Sequence, residues 1–397
     1  MRSKIVLLLV GMLLCACEIK KEKKENEITV AAYYFPNYHE DNRNVAYHGK
    51  GWTEWELVKN AQPRFENHHQ PNVPAWGYTD EADPVQMAQK IDAAADNGID
   101  AFIFDWYMYE DGPFLDSAID QGFLKAENCE RIKFALMWAN HDWVDIHPYR
   151  KGSQHKLLYP GEISRERYNE ICNTLIEQYF SKPNYWKIEG KPYFSVYDIN
   201  NFIRSFGSLE ATKKAMDYMR EKAVAAGFSG VHWNLVSWEQ AILPSEKTPV
   251  DNAEMVKLLG FNSVTSYVWI HHVQLPDTIT DYNYVRDEYF KYWDKATAKF
   301  KVPYYPNITM GWDPTPRCDL NSTWENVGYP FMNIIGNNTP TNFKTALQMA
   351  KEKLLSKPNG PRILNINCWN EWTEGSYLEP DTINGMKYLE AIRDVFK

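Results

Sequence analysis

From Ile28 onward, short apolar or β-branched runs alternate with stretches of helical spacing. The runs fall at 28–36, 99–107, 132–139, 192–197, 231–236, 263–268, 304–309 and 363–368, each of strand length. Between several of them the helix signals are explicit. Asp83-Pro84-Val85-Gln86 supplies an N-cap, a first-turn proline and a capping-box partner. Val85, Ala88, Ile91 and Ala95 then recur at helical spacing, and Gly98 closes the helix before the next strand. Phe343, Leu347, Ala350 and Leu354 form a second apolar stripe, and Leu389, Ile392 and Phe396 a third. Eight strand–helix alternations predict an α/β chain whose parallel sheet closes as a (β/α)8 TIM barrel, one domain over 28–397. A doubly wound open sheet is the rival, but neither GxGxxG nor a P-loop follows any strand. The stretches 37–78 and 142–163 read as elaborated βα loops of that domain.

Upstream of the barrel the pattern changes. Arg2 and Lys4 precede an apolar run over 5–16, shorter than the roughly 20 residues that cross a bilayer. It fits a secretory signal peptide over 1–16. Its end, Leu14-Cys15-Ala16-Cys17, resembles a bacterial lipobox, which makes Cys17 the expected lipidation site; a plain signal with an incidental cysteine is the alternative. Residues 17–27 then read as a solvated, lipidated tether, and the expectation is an exported protein anchored in the outer membrane. Cys129, Cys172, Cys318 and Cys368 show no CxxC pair and no zinc-like spacing, and nothing in the sequence demands a disulfide between them.

A net charge of −9 leaves no basic surface for nucleic acid. The aromatic count does change the picture. Fifteen Trp, 25 Tyr and 18 Phe supply flat apolar rings with a polar edge, suited to sugar faces as well as to cores.

In TIM barrels the active site sits at the C-terminal ends of the strands. There the chain places Tyr34, Asp105, Trp138, Asn140, Asp198, Trp238, Tyr267, Trp269, Trp312 and Asn370, with Trp52 and Glu54 in the loop after the first strand, all candidates for substrate binding. Each alone is more often a cap or a loop hydrogen bonder; together at one rim they suggest a site. Glu371 and Glu374 are the sharpest feature. Two carboxyls at one mouth can divide labour if one stays ionised while the other holds a proton, as glycosidic cleavage requires. Trp369 and Trp372 flank them as apolar surroundings or sugar platforms, and Gly375 lets the chain turn close to a ligand. The bland reading is a solvated acidic loop. His271-His272 invites a metal, but adjacent histidines in an extended segment point to opposite faces, so neither metal nor cofactor is expected.

The segments Ala31-Ala32-Tyr33-Tyr34-Phe35-Pro36-Asn37-Tyr38-His39, Gly51-Trp52-Thr53-Glu54-Trp55, His69-Gln70-Pro71 and Trp369-Asn370-Glu371-Trp372-Thr373-Glu374-Gly375-Ser376-Tyr377-Leu378-Glu379-Pro380 together resemble the glycoside hydrolase family 99-like, or WbsX-like, proteins. The resemblance implies a (β/α)8 endo-α-mannosidase or endo-α-mannanase acting with retention and without metal. It implies that Glu371 takes a proton from the sugar 2-hydroxyl, which attacks its own anomeric carbon, and that Glu374 protonates the leaving oxygen. The GWTEW segment departs from the endo-mannosidases toward the WbsX-like branch, which puts mannose specificity in question. Three functions follow: an exported glycoside hydrolase on a polysaccharide or oligosaccharide, a glycosyltransferase of surface-polysaccharide synthesis, or a non-catalytic sugar-binding lipoprotein. The export signal weighs against the second, and a binding protein needs no pair of closely spaced carboxylates.

Overall fold

A computed structural model of the chain describes residues 28–247, 252–356 and 360–397; the signal peptide, Cys17 and the tether lie outside them. Seven of the eight runs form unbroken parallel strands: β1 (Thr29–Tyr34), β2 (Ala101–Tyr109), β3 (Lys133–Trp138), β4 (Lys191–Val196), β5 (His232–Val236), β6 (Ser263–Thr265) and β8 (Ile363–Asn367). The seventh stave, β7, is split by Pro306 into Tyr304–Tyr305 and Asn307–Thr309, because proline has no N–H for the ladder. Its first half pairs with β6 (Val264 opposite Tyr304) and its second with β8 (Asn307 opposite Asn365). The Pro306 carbonyl accepts from Asn365 N–H at 2.9 Å, so the broken stave still closes the ring. Around that ring β8, β1, β2, β3, β4, β5 and β6 pair in order, all in parallel. The expected TIM barrel is therefore the fold.

Strand alternation sets two environments. Residues such as Tyr34, Trp106 and Trp138 point outward into the helical layer, where Tyr34 packs on Phe102 and Phe104, and Trp138 on Tyr168 and Phe202. The inward positions carry polar groups, several of which bond one another. Ser195 Oγ donates to Asn234 Oδ1, Asn234 Nδ2 donates to Ser263 Oγ, and Asn365 Nδ2 donates to Thr265 Oγ1. Buried polar atoms are tolerated there because partners lie within reach.

The helix Pro84–Asp96 begins at the expected cap, Asp83, whose carboxylate accepts from Val85 N–H. Its buried face differs from the expected stripe: Met87, Lys90, Ile91 and Ala94 face the barrel, while Val85 is 77% exposed. Lys90 has a purpose in the core. Its Nζ lies 2.7 Å from Glu379 Oε1, and Glu379 accepts the indole N–H of both Trp369 (3.0 Å) and Trp372 (2.8 Å). Both tryptophans are fully buried and brace the segment between them, which corrects the sugar-platform alternative and leaves that of apolar surroundings. The other two apolar stripes pack as expected on Phe343, Leu347, Ala350 and Leu354, and on Leu389 and Ile392.

The loops over 37–78 and 142–163 rise over the C-terminal ends of the strands. The first carries the helices Asn42–His48 and Trp55–Asn60; the second carries an antiparallel pair, Trp143–Val144 with Leu157–Tyr159. Replacing one member of a buried ion pair strands its partner. Lys90→Met is expected to cost about 3–5 kcal/mol by urea unfolding, and the double variant Lys90→Met/Glu379→Gln to recover part of that loss.

Candidate active site

Glu371 and Glu374 follow β8 on one short turn, Trp372–Glu374, that ends at Gly375 with φ +63°. A Cβ at Gly375 would stand 2.8 Å from Asp313 Cβ and 2.9 Å from the Asp313 nitrogen. The glycine thus admits the loop after β7, not a ligand, which corrects the sequence expectation; Asp313 N–H in return donates to the Glu374 carbonyl at 2.6 Å. Asn370 fixes the other side of the turn: its amide bonds both backbone groups of Phe35, at 2.8 and 2.7 Å.

Both glutamates line one cavity, together with Phe35, Asp105, Tyr107, Tyr267, Trp312 and Arg317. It encloses about 670 Å³ including its open mouth. Its rim carries Trp143, Val144, Ile146 and His147 from the loop after β3, and Ile242 and Leu243 from the loop after β5.

Arg317 organises the carboxyls. Its Nη1 donates to Glu374 Oε1 and to the Tyr329 hydroxyl, and Tyr329 donates onward to Glu374 Oε1 at 2.8 Å. Its Nη2 donates to Glu54 Oε2 at 3.2 Å and stands 3.8 Å from Glu371 Oε1. Glu54 also accepts from the Thr373 hydroxyl and from Asn37 at 3.0 Å, with His147 Nε2 at 3.2 Å. The Tyr267 hydroxyl stands 2.9 Å from Glu371 Oε2 and 2.9 Å from Asp105 Oδ2.

One guanidinium cannot neutralise every carboxyl, and proton affinities divide accordingly. Burial pushes Glu54 up, yet Arg317 and His147 outweigh it and hold Glu54 down at about 2. Burial, then the Glu374 charge, pushes Glu371 well above the carboxylate range against the pull of Arg317. Burial raises Glu374 as well, opposed by Arg317, by Tyr329 and by a hydrogen bond from Glu371. The direct cation and phenol contacts favour charge on Glu374, so the proton the pair shares belongs on Glu371.

A family model described as glycosyltransferase WbsX matches residues 30–392. The chain belongs to that family. It is 25% identical over 378 residues to an uncharacterized protein WxcX of Xanthomonas campestris pv. campestris strain B100, and 24% identical to that of a second strain. Those matches cover 92% of this chain and 49% of each relative, so the chain spans about half the length of the relatives. Among solved structures, a GH99 endo-alpha-mannosidase from Bacteroides thetaiotaomicron superposes with a TM-score of 0.55 at 13% identity, over 93% of this chain and 98% of that one. A glycoside hydrolase-like protein superposes with a TM-score of 0.58 at 15% identity, over 100% and 98%. At such identities the likeness shows the barrel shared with these hydrolases.

Within this family member the cavity gathers five of the expected site residues: Asp105, Tyr267, Trp312, Glu371 and Glu374. Glu54 lies behind them, bound to Arg317. The others do not line it. Tyr34 and Trp138 sit at outward positions of their strands, one residue out of phase with Phe35, Met137 and Ala139, which do line it. Trp269 packs on Tyr282 and Tyr289 and donates to the Asn307 carbonyl, while Trp238 packs at a tilt on Tyr197. Asp198 caps the helix Ile199–Phe206 and Asn140 ties both Asp198 backbone groups, at 2.8 Å each. Trp52 stacks on His48, and Asn370 serves the turn. His271 and His272 lie at a short helical turn and not in an extended segment; His271 faces Glu246 and His272 bonds Ser266.

Sequence reading missed Arg317, Tyr329, Tyr107 and His147. Tyr107 was within reach, two residues beyond Asp105 on the same strand face. Arg317 had no local signal. Arg317→Met is expected to cost about 3–5 kcal/mol in thermal unfolding, with Glu54→Gln in the same chain restoring part of it. Because folding depresses Glu54, its contribution is full above the ordinary value of 4.5 and is lost as pH falls toward about 2. The stability lost below pH 4.5 should therefore shrink in Glu54→Gln.

Proposed function

We propose that the chain is a glycoside hydrolase that cleaves a polysaccharide or oligosaccharide, with Glu371 and Glu374 as its acid–base pair. One observation carries the reading: two buried carboxyls of unequal proton affinity line one cavity at the C-terminal end of a barrel. The fold shared with an endo-alpha-mannosidase supports an internal α-linked substrate.

The expected roles balance in protons. Before the first step the shared proton passes from Glu371 to Glu374. Glu371 then takes the 2-hydroxyl proton as that oxygen attacks the anomeric carbon, and Glu374 protonates the departing oxygen. The pair is left as it rested, with the proton on Glu371. In the second step water attacks the anomeric carbon and yields its proton to Glu374, while Glu371 returns a proton to the C2 oxygen. The family description names a glycosyltransferase, and the second reading is therefore transfer of a sugar to an acceptor hydroxyl in surface-polysaccharide synthesis.

Glu371→Gln and Glu374→Gln should each lower release of reducing ends from α-mannans or deoxysugar-containing polysaccharides by about 10²–10⁴-fold, with oligosaccharide binding kept by calorimetry. An aryl glycoside with a good leaving group should restore Glu374→Gln and not Glu371→Gln. Wild-type rates in both variants would defeat the assignment. We also propose export and lipid anchoring through Cys17. Cys17→Ala should move the protein from the detergent phase to the aqueous phase, and unchanged partitioning would rule the anchor out.

A further inference from the structure

Tyr267 has one hydroxyl hydrogen and two carboxyl neighbours. Its oxygen lies 2.9 Å from Asp105 Oδ2 and 2.9 Å from Glu371 Oε2. The hydrogen serves one contact; the other is a hydrogen bond only where the carboxyl itself carries a proton and donates to the phenol oxygen.

The surroundings decide which carboxyl that is. Arg317 bonds Glu374 and Glu54 and approaches Glu371, and among the described residues it makes no hydrogen bond or ion pair with Asp105. Asp105 is buried, and its Oδ1 has no hydrogen-bond partner although the residue lines the cavity. A carboxylate held that way is far costlier than a neutral acid. The titratable groups facing it are Tyr33 from β1, Tyr107 on its own strand, Tyr267 after β6, and Cys368, Glu371 and Glu374 after β8, and none of these is a cation.

We propose that Asp105 is a positioning residue: as a neutral acid it donates from Oδ2 to the Tyr267 oxygen and so turns the Tyr267 hydrogen toward Glu371. The hydrogen bonds then run one way, from Asp105 through Tyr267 to Glu371, and Arg317 donates to Glu374 beyond it. Glu371 keeps a donor through every step in which it is an anion. Burial and the Glu374 charge, acting against the Tyr267 bond, raise Asp105 well above the carboxylate range, in keeping with this order. Loss of the Asp105 proton at alkaline pH reverses the first bond. The phenol then donates to the Asp105 carboxylate, and Glu371 is deprived of its donor. The proposal rests on Glu371 transferring a proton, and its test includes a readout that needs no substrate.

Asp105→Asn offers an amide N–H where the acid offered O–H, and it does not ionise. Its alkaline limb of kcat/KM should move up by about one pH unit or more, with turnover at the optimum reduced less than about tenfold. Asp105→Ala and Tyr267→Phe should each lose about 100-fold, and their combination no more than either alone. Independently of cleavage, the infrared difference between the wild type and Asp105→Asn near neutral pH should contain a protonated-carboxyl band. Tyr267→Phe should shift that band, which keeps the test open if Asp105→Asn does not fold. A wild-type alkaline limb in Asp105→Asn overturns the proposal. So does the absence of the band from the wild type, or its indifference to Tyr267→Phe. Loss of the acid–base reading itself would show separately, as cleavage unaffected by Glu371→Gln and Glu374→Gln.

Discussion

A single buried guanidinium set among acids governs this molecule. Arg317 meets Glu54, Glu371 and Glu374 where all four side chains are buried, and unbalanced charge there is expensive. One positive charge settles one negative charge cheaply, and Glu54, reinforced by His147 and Thr373, is the acid held most firmly ionised. What remains for the other acids is a shortage of compensation. That shortage keeps protons on carboxyls that would be ionised in water, and a site that must both give and take protons needs that condition.

The rest of the architecture delivers those groups to one place without freedom to move. Lys90 holds Glu379, Glu379 holds the indoles of Trp369 and Trp372, and the turn bearing both glutamates hangs between those braces. Asn370 stitches the same turn to β1, and Gly375 allows the loop after β7 to close against it. These contacts stand behind two catalytic candidates, and few of the residues in them touch the cavity. This division explains why so many aromatics are buried in a chain whose composition alone would equally suit sugar binding.

Strand parity separates the groups at the rim from those that face the cavity. The barrel ends offer many polar and aromatic residues, yet only inward positions open on the cavity. Asp105 and Tyr107 share one face of β2, and Met137 and Ala139 lie one step away from the outward Trp138. A shift of one residue moves a side chain from the mouth to the helical layer. Tyr34 and Trp138 were thus plausible by position along the strand and excluded by phase.

The order of strands, the closed barrel and the Glu371–Glu374 turn were legible in the chain because each is a local pattern: apolar runs, caps, and two acids directly after a strand. Local pattern also located Asp105, Tyr267 and Glu54, though not their partners. Val85 shows where such reading stops, since helical spacing finds a stripe but a lysine on the buried face breaks the expected hydrophobic code. Arg317 shows it more fully. It lies 263 residues from Glu54 and 57 from Glu374, at the end of the short 3-10 turn Thr315–Arg317, too brief for any periodicity to mark it. Its effect arises only when the barrel closes and brings the loops after β1, β7 and β8 over one cavity. Which acids are charged, which share a proton and which way Tyr267 donates depend on distance and on exclusion of water. Those are properties of the packed chain, and no stretch of sequence contains them.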